Sequence, residues 1–199
     1  DRQNRISNLT CGLMKAGGDR NLGAIGDINS ISSTSGGKTV GLESLDGSND
    51  NRTQVGQIDI NAGGKYGNIG LKDTLLGNTA SITAQDGLSL EAGKNITVTG
   101  ANLASGGDML LNAWGDIAVN ANQINDAFSS SREKTSRSSV TYQGSNLSTG
   151  GNLLVHAGHN FDVTASDPTA GGRAGPRAGH DLNLNAAQTI ETSRNGKRQ

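Results

Sequence analysis

The sequence predicts an all-β protein, a parallel β-helix whose coils of roughly 21 residues stack into a rod. Apolar and polar residues alternate with a period of two, as in Leu88, Leu90 and Ala92, which gives an extended strand one apolar side. Eight residues later, Ile96 and Val98 repeat the alternation as a second short strand. The frame recurs along the chain as Ile58-Ile60-Ala62, Met109-Leu111-Ala113, Leu153-Val155-Ala157 and Leu182-Leu184-Ala186.

The apolar sides of these strands form the predicted interior. Each strand would pair with the strands of the neighbouring coils at a spacing of about 4.8 Å, and about nine coils would account for the chain. The period of two and the abundance of Gly, Asn, Ser and Thr disfavour helices. The predicted interior residues are Ile58, Ile60, Leu88, Leu90, Ile96, Val98, Met109, Leu111, Ile117, Val119, Leu153, Val155, Phe161, Val163, Leu182 and Leu184.

The composition favours a narrow rod over a compact domain. The 199 residues include 30 glycines and only 3% aromatic residues, which is too little bulk for an ordinary globular core. The net charge of −1 gives no reason to expect nucleic-acid binding. Cys11 is the single cysteine, so no disulfide can form within the chain. No apolar run approaches the roughly 18 residues that a membrane-spanning helix needs.

Glycine doublets are expected to mark one corner of the rod, where a sharp turn between strands requires a positive φ. The spacing between most of them is close to one or two coil lengths. The doublets are 17–18, 36–37, 63–64, 106–107, 150–151 and 171–172.

Two regions interrupt the repeat. Residues 126–144 contain six serines and lie between glycine doublets whose separation is about two coils. They are therefore predicted to replace coil sequence with a polar loop or hairpin that stands off the rod. Residues 166–179 contain both prolines and are predicted to form an irregular coil. Residues 1–16 are interpreted as a polar lead-in or weak coil before the repeat region, 17–199, and the chain is expected to be a piece of a longer polypeptide.

The Gly-x-Leu-x-Leu-x-Ala-Gly-x-x-Ile-x-Val frame, the Gly-Gly corners and the Ser-Arg-Glu-Lys-Thr-Ser interruption at 131–136 resemble the haemagglutinin repeats of filamentous haemagglutinins and of contact-dependent growth inhibition toxin stalks. The resemblance covers residues 56–192 and, more weakly, 17–55. It implies a right-handed parallel β-helix in a large exoprotein on the surface of a Gram-negative bacterium, exported by two-partner secretion. The implied partners are the rest of the stalk, the cognate outer-membrane transporter, and a host-cell glycan or protein or a bacterial surface receptor.

No residue set in the sequence predicts catalysis, a cofactor or a metal site. His159 and His180 are separated by one repeat length and are expected to stack at one corner, but no carboxylate completes a ligand set with them and His156. A polysaccharide-active β-helix enzyme would need two opposed carboxylates. Asp108 and Asp116 are the candidates, and both occur in Gly-Asp turns, where Asp is a routine turn former.

The candidates for partner binding are Arg132, Lys134, Arg137 and Tyr142 in the Ser-rich segment, and Trp114, which is expected to be exposed at a corner. A solvated loop and packing along the rod are the alternative interpretations. Three functions stay open: a spacer in a stalk that serves adhesion or presents a distal toxin, an adhesin module that binds a receptor through 126–144, and a polysaccharide-active enzyme.

Overall fold

The computed structural model of the chain describes residues 7–10, 12–65 and 67–195, and all regular elements in these ranges are β-strands. Parallel strands stack along three faces of a rod. Face 1 contains β1 (Ser7–Thr10), β4 (Ile28–Ile31), β6 (Asn49–Arg52), β10 (Ile96–Thr99), β13 (Ile117–Asn120), β18 (Phe161–Thr164) and β21 (Leu182–Asn185), in that order along the rod.

Faces 2 and 3 belong to one sheet, because the long strands β5 (Thr34–Ser44) and β9 (Ser81–Ala92) run through both faces. The other strands of face 2 are β2 (Leu13–Lys15), β11 (Asn102–Ser105), β16 (Asn146–Thr149) and β19 (Asp167–Ala170). The other strands of face 3 are β3 (Arg20–Ala24), β12 (Met109–Ala113), β17 (Leu153–Ala157) and β20 (Ala174–Ala178). The predicted parallel β-helix is confirmed.

The remaining strands form a separate antiparallel sheet, which we call the hairpin sheet. Its order is β22-β15-β14-β8-β7, and β7–β8 and β14–β15 are hairpins. Both hairpins leave the rod at the corner between face 1 and face 2. The strands are β7 (Val55–Gly64), β8 (Gly67–Leu76), β14 (Asn122–Ser130), β15 (Thr135–Gln143) and β22 (Ile190–Arg194).

The hairpins are insertions into a coil of constant length. Wherever no hairpin intervenes, a residue of face 1 stacks on its equivalent 21 positions later, as Ile96 does on Ile117. The interval is 47 positions from Asn49 to Ile96 and 44 from Ile117 to Phe161. The prediction that the Ser-rich segment replaces coil sequence was therefore wrong, because the longer interval is one coil plus a hairpin. Since hairpins use up chain length, face 1 has seven strands in the described ranges instead of the nine coils expected.

From β9 onward the interior is mainly aliphatic, as predicted. Along face 3 and face 1 each interior side chain lies on the equivalent side chain of the next coil, so that Leu90, Leu111 and Val155 form one column. The predicted interior residues that are buried are Leu88, Leu90, Ile96, Val98, Met109, Leu111, Ile117, Val119, Leu153, Val155, Phe161 and Val163.

Four predicted interior residues are exposed. Ile58 and Ile60 lie on β7 of the hairpin sheet and are 37% and 51% exposed, so their assignment to the rod interior was wrong. A hairpin strand with one apolar side has the same period-two pattern as a strand of the rod. Leu182 and Leu184 do stack on Phe161 and Val163. They are exposed because β21 is the last strand of face 1 in the described chain.

The coils nearest the N-terminus have a polar interior that the aliphatic pattern does not predict. Asn49 is fully buried and donates from Nδ2 to the carbonyl oxygens of Leu42 (3.3 Å) and Glu91 (2.7 Å). The hydroxyls of Ser30 and Ser33, also buried, are 2.6 Å apart. These bonds offset part of the cost of burying polar groups between stacked coils.

The glycine doublets have a different cause from the one predicted. The doublets 17–18, 106–107, 150–151 and 171–172 occupy the same corner, between faces 2 and 3, as predicted, whereas 36–37 lies within β5 and 63–64 ends β7. The described glycines with positive φ are Gly67 and Gly100, so the corner glycines are not required for their φ. A Cβ at Gly107 would overlap the carbonyl oxygen of Asp86 in the preceding coil. Glycine is needed there because stacked backbones approach closely.

The two segments that looked irregular follow the coil register where they are described. β1 and β2, within the predicted lead-in 1–16, pair with β4 and β5. Within 166–179, β19 and β20 pair with β16 and β17. The prolines are tolerated because β19 and β20 are the outermost strands of their sheet. Proline has no N–H to donate, and at the outer edge the described chain has no further strand that would accept one.

We expect Leu111→Asp to destabilise the rod by several kcal/mol, because Leu111 is fully buried and the carboxylate would have no partner between the coils. Leu154→Asp is the matched control, since Leu154 belongs to the stacked β17 but is 50% exposed. Urea unfolding followed by far-UV circular dichroism measures both. Equal midpoints for the two variants would show that the inward assignment of Leu111 is wrong.

We expect Gly107→Ala to destabilise by about 1–3 kcal/mol, because the added methyl group overlaps the backbone of the preceding coil. Gly18→Ala places a methyl group where no atom lies within 4 Å, and its effect should be small. Thermal unfolding of both variants tests the close-approach explanation. It fails if the two substitutions shift the midpoint by the same amount.

Candidate functional site

The hairpin sheet is the largest feature outside the regular rod and contains four of the five predicted binding residues. Neighbouring hairpins pair directly, because Ile69–Lys72 of β8 are hydrogen-bonded to Ala127–Ser130 of β14. The last strand, β22, pairs antiparallel with β15, and the hydroxyls of Ser138 and Thr192 are 2.6 Å apart. The five strands thus form one continuous surface beside the rod.

One side of the hairpin sheet is apolar and exposed. Paired residues of neighbouring strands point to the same side of a sheet, so Ile60, Leu71 and Phe128 form one row across β7, β8 and β14. Ile69 lies in the next row on the same side and is 51% exposed. This side continues onto Arg137, which pairs with Phe128.

Charge is sorted along the hairpins by distance from the rod. The outer end, which we call the basic tip, has five cationic residues and one acidic residue: Lys65, Arg132, Lys134, Arg137, Arg194 and Glu133. Further in, Lys72 and Asp59 form an ion pair at 3.5 Å. Nearer the rod are Asp73, Asp126 and Glu191. A protein with a net charge of −1 therefore carries a local basic surface.

A shallow cleft opens on the hairpin sheet around Gly70. It has a volume of about 250 Å³, and residues from all five strands line it. The lining residues include Asn61, Lys72, Ser129 and Thr192, which carry amide, ammonium and hydroxyl groups, beside Leu71 and Phe128. Groups of this kind can donate hydrogen bonds to, and accept them from, a small polar ligand.

The predicted binding residues occupy three different places. Arg132 and Lys134 lie together in the turn that joins β14 to β15. Arg137 is close to them on β15, whereas Tyr142 pairs with Gln123 at the inner end of the hairpin. Trp114 is 79% exposed, at the corner between faces 3 and 1, so it does not join this group.

Sequence reasoning missed the first hairpin and β22 as parts of this surface. The signal that could have located the first hairpin is the interval of 47 positions between Asn49 and Ile96, which is not a multiple of the coil length. This interval could not be recognised from the apolar pattern, because the interior residue at its start is Asn49 and an apolar residue was expected at each interior position.

Corner carboxylates and amides bind backbone of the next coil. Asp108 Oδ1 accepts a hydrogen bond from the N–H of Asn152 (2.7 Å), and Asn152 Oδ1 accepts one from the N–H of Arg173 (3.0 Å). At the opposite corner, Asp116 Oδ1 accepts from the N–H of Asn160 (3.0 Å). These bonds give the predicted enzymatic carboxylates, Asp108 and Asp116, a role in stacking.

The histidine column predicted from the sequence is present. The rings of His159 and His180 are in an edge-to-face contact with centroids 5.6 Å apart. His156 lies instead on β17, with Nδ1 3.1 Å from Oδ1 of Asn112. Within the described ranges, no group of three or more His, Cys, Asp or Glu side chains is placed to hold a metal ion. No helix of the described chain has the length and hydropathy needed to cross a membrane.

A groove along face 1, at the base of the hairpins, contains a carboxylate with a shifted pKa. Burial raises the pKa of Asp50, Arg52 at 3.3 Å partly opposes this effect, and Asp27 adds to it. The folded protein therefore binds the Asp50 proton more tightly than the unfolded chain does. Ionised Asp50 costs stability at neutral pH, and the cost disappears as the pH falls through the raised pKa.

We expect Asp50→Asn to raise the melting temperature at pH 7 by an amount equivalent to less than about 1 kcal/mol, because the group is only half-buried. The gain should vanish at acidic pH, where Asp50 is protonated in the parent protein. Asp46→Asn, which removes an exposed charge, is the control and should show no comparable gain. A gain that is constant from pH 3 to pH 8 would contradict this explanation.

Comparisons with known proteins add to this geometry. Residues 127–199 match the Hemagglutinin repeat family. The chain is 46% identical over 201 positions to the tRNA nuclease CdiA of Escherichia coli O6:K15:H31 (strain 536 / UPEC), which covers 99% of the chain and 6% of the relative. It is 53% identical over 104 positions to the 16S rRNA endonuclease CdiA of Enterobacter cloacae subsp. cloacae, covering 52% of the chain and 3% of that protein.

A third relative, the tRNA nuclease CdiA of Yersinia mollaretii, is 34% identical over 190 positions, covering 92% of the chain and 6% of the relative. No solved structure matches the chain. The chain thus spans about 6% of the length of the relatives that it matches almost completely. Together with the stacked coils of constant length, the repeat match and these relatives identify the chain as a hemagglutinin-repeat stalk segment of the CdiA type.

Proposed function

We propose that the chain is a spacer, a stiff segment of a fibrous stalk that holds a distal part of a large exoprotein away from a Gram-negative cell. The observation that carries this proposal is the unbroken stack of face 1, in which seven strands keep the same register despite two insertions. A stack that stays continuous despite insertions is suited to a segment whose function is to extend a stalk.

Physical stiffness supports the spacer function. Every strand inside the stack is hydrogen-bonded on both sides, so bending the rod would strain many backbone bonds at once. Corner bonds such as Asp116–Asn160 add a second tie between coils. Each coil adds about 4.8 Å to the length of the rod.

The relatives suggest where the other activities of the whole protein lie. Their names describe nucleases, and this chain aligns with about 6% of their length. We assign those activities to other regions of the parent protein and none to this segment. Its partners would then be the neighbouring stalk and, during secretion, a cognate outer-membrane transporter.

A second candidate function, direct adhesion, is favoured by the hairpin sheet. The basic tip with Arg132, Lys134 and Arg137 could attract an anionic receptor, and the cleft at Gly70 contains side chains that can hydrogen-bond a sugar. The ligand class would be an anionic glycan or an acidic protein surface. Tyr142 and Trp114 lie too far from the tip along the strand and around the rod to join this contact.

Binding of the fluorescently labelled chain to epithelial cells and to Gram-negative cells separates the two functions. A spacer is expected to show no saturable binding to either cell type. The matched variants are Arg132→Glu/Lys134→Glu at the tip and Arg173→Glu/Arg177→Glu on the rod, which change the net charge equally.

If the parent chain binds saturably, and the tip variant loses this binding while the rod variant keeps it, the spacer function is rejected in favour of direct adhesion. Deletion of residues 129–139 should agree with the tip variant. That deletion should leave the rod folded, because Leu103 and Leu147 pair across the insertion through face 2.

A further inference from the structure

The hairpins follow a regular pattern along the rod. They follow β6 and β13, and β22 follows β21, so from β6 onward every second strand of face 1 leads into the hairpin sheet. β1 and β4, which precede the first hairpin, are each followed by a strand of face 2 after two residues. After the intervening strands, the chain passes to face 2 within two residues. These short connections are 32–33 after β4, 100–101 after β10 and 165–166 after β18.

The spacing of β-strands explains this alternation. Neighbouring coils are about 4.8 Å apart, so two coils advance the rod by about 9.6 Å. A hairpin adds two strands to a sheet, and at the same strand spacing it also occupies about 9.6 Å. Hairpins on alternate coils therefore meet edge to edge, whereas hairpins on consecutive coils would compete for the same space. The direct pairing of β8 with β14 has this geometry.

β22 occupies the position where the first strand of the next hairpin belongs. It pairs with β15 from Val140↔Ile190 to Ser136↔Arg194, running outward from the rod just as β14 runs beside β8. The sequence after β22 is Asn195-Gly196, the dipeptide most favoured in two-residue hairpin turns. Arg194 pairs with Ser136, the second residue of β15. A turn that begins at Asn195 would therefore lie at the level of the preceding hairpin turn.

We propose that from β6 onward the hairpin sheet is a second ribbon that runs along the rod with one hairpin for every two coils, and that β22 is the first strand of a third hairpin. The occupant of the outer edge of β22 is then the return strand of the same hairpin, supplied by the residues that follow in the parent chain. This second part rests on the assignment of the chain to a longer stalk.

The ribbon has a functional consequence. Within the basic tip, the cationic residues of successive hairpin turns, such as Lys65 and Arg132–Lys134, form a row with a repeat of about 9.6 Å, parallel to the rod axis. The ribbon also ties non-adjacent coils together, because β8 and β14 belong to hairpins that leave the rod two coils apart.

Two coil deletions test the spacing rule in this chain. Deleting residues 96–116 removes one coil between the hairpins and places them on consecutive coils. Deleting residues 28–48 also removes one coil, and with it the same number of residues, but leaves the interval between the hairpins unchanged. Within Ile69–Lys72, hydrogen exchange at the amides that point towards β14 and not towards β7 reports the β8–β14 pairing, and exchange at Phe161–Thr164 reports the rod.

We expect exchange at the β14-facing amides of Ile69–Lys72 to become at least about tenfold faster in the first deletion and to stay unchanged in the second, with the rod protected in both. Unchanged protection at these amides in the first deletion would overturn the spacing rule. Loss of protection at Phe161–Thr164 in the second deletion would instead count against register-preserving stacking, and with it against the spacer function.

The native continuation of the chain tests the third hairpin. Extending the chain by about 35 residues of its parent should slow exchange in β22 by about tenfold or more, and an extension of the same residues in shuffled order should not. The face-1 partner of Leu182 should then lie 44 to 47 positions later, as at the two earlier hairpins. Equal exchange in β22 with both extensions, or a partner only one coil length later, would overturn the proposal.

Discussion

The whole structure depends on the backbone hydrogen bonds between stacked coils. A strand of face 1 can bond to its neighbours only if equivalent residues recur at the same place in each coil, which fixes the length of the coil. Side chains then fall into columns, and an apolar residue in one coil requires a compatible one above and below it. The interior and the corners of the rod both follow from this register.

The corners show how closely the backbone constrains the side chains. Where one coil approaches the next, as at Gly107, a Cβ would overlap a carbonyl group, and glycine recurs. Next to these glycines, Asp or Asn accepts the N–H of the next coil, as Asp108 does from Asn152. In both cases the backbone groups of the corners, which would otherwise be unpaired, can form hydrogen bonds with the neighbouring coil.

Insertions are possible because the register is carried by the faces and not by the connections between them. Leu103 and Leu147 are direct partners although a whole hairpin lies between them in sequence. The rod is therefore free to carry surface features without loss of stacking. The hairpin sheet uses this freedom to add an apolar side and a basic tip to a protein whose net charge is only −1.

The sequence by itself determined the β-helix, its repeat period and most of its interior, because alternation and periodicity are local properties of the chain. It also located the Ser-rich segment that contains Arg132 and Lys134. Only the tertiary structure decided that Ile58 and Ile60 belong to a hairpin, since a period of two is the same in either sheet. The pairing of β8 with β14 and of β15 with β22 likewise follows from the spacing of coils in three dimensions, which joins residues that are far apart in sequence.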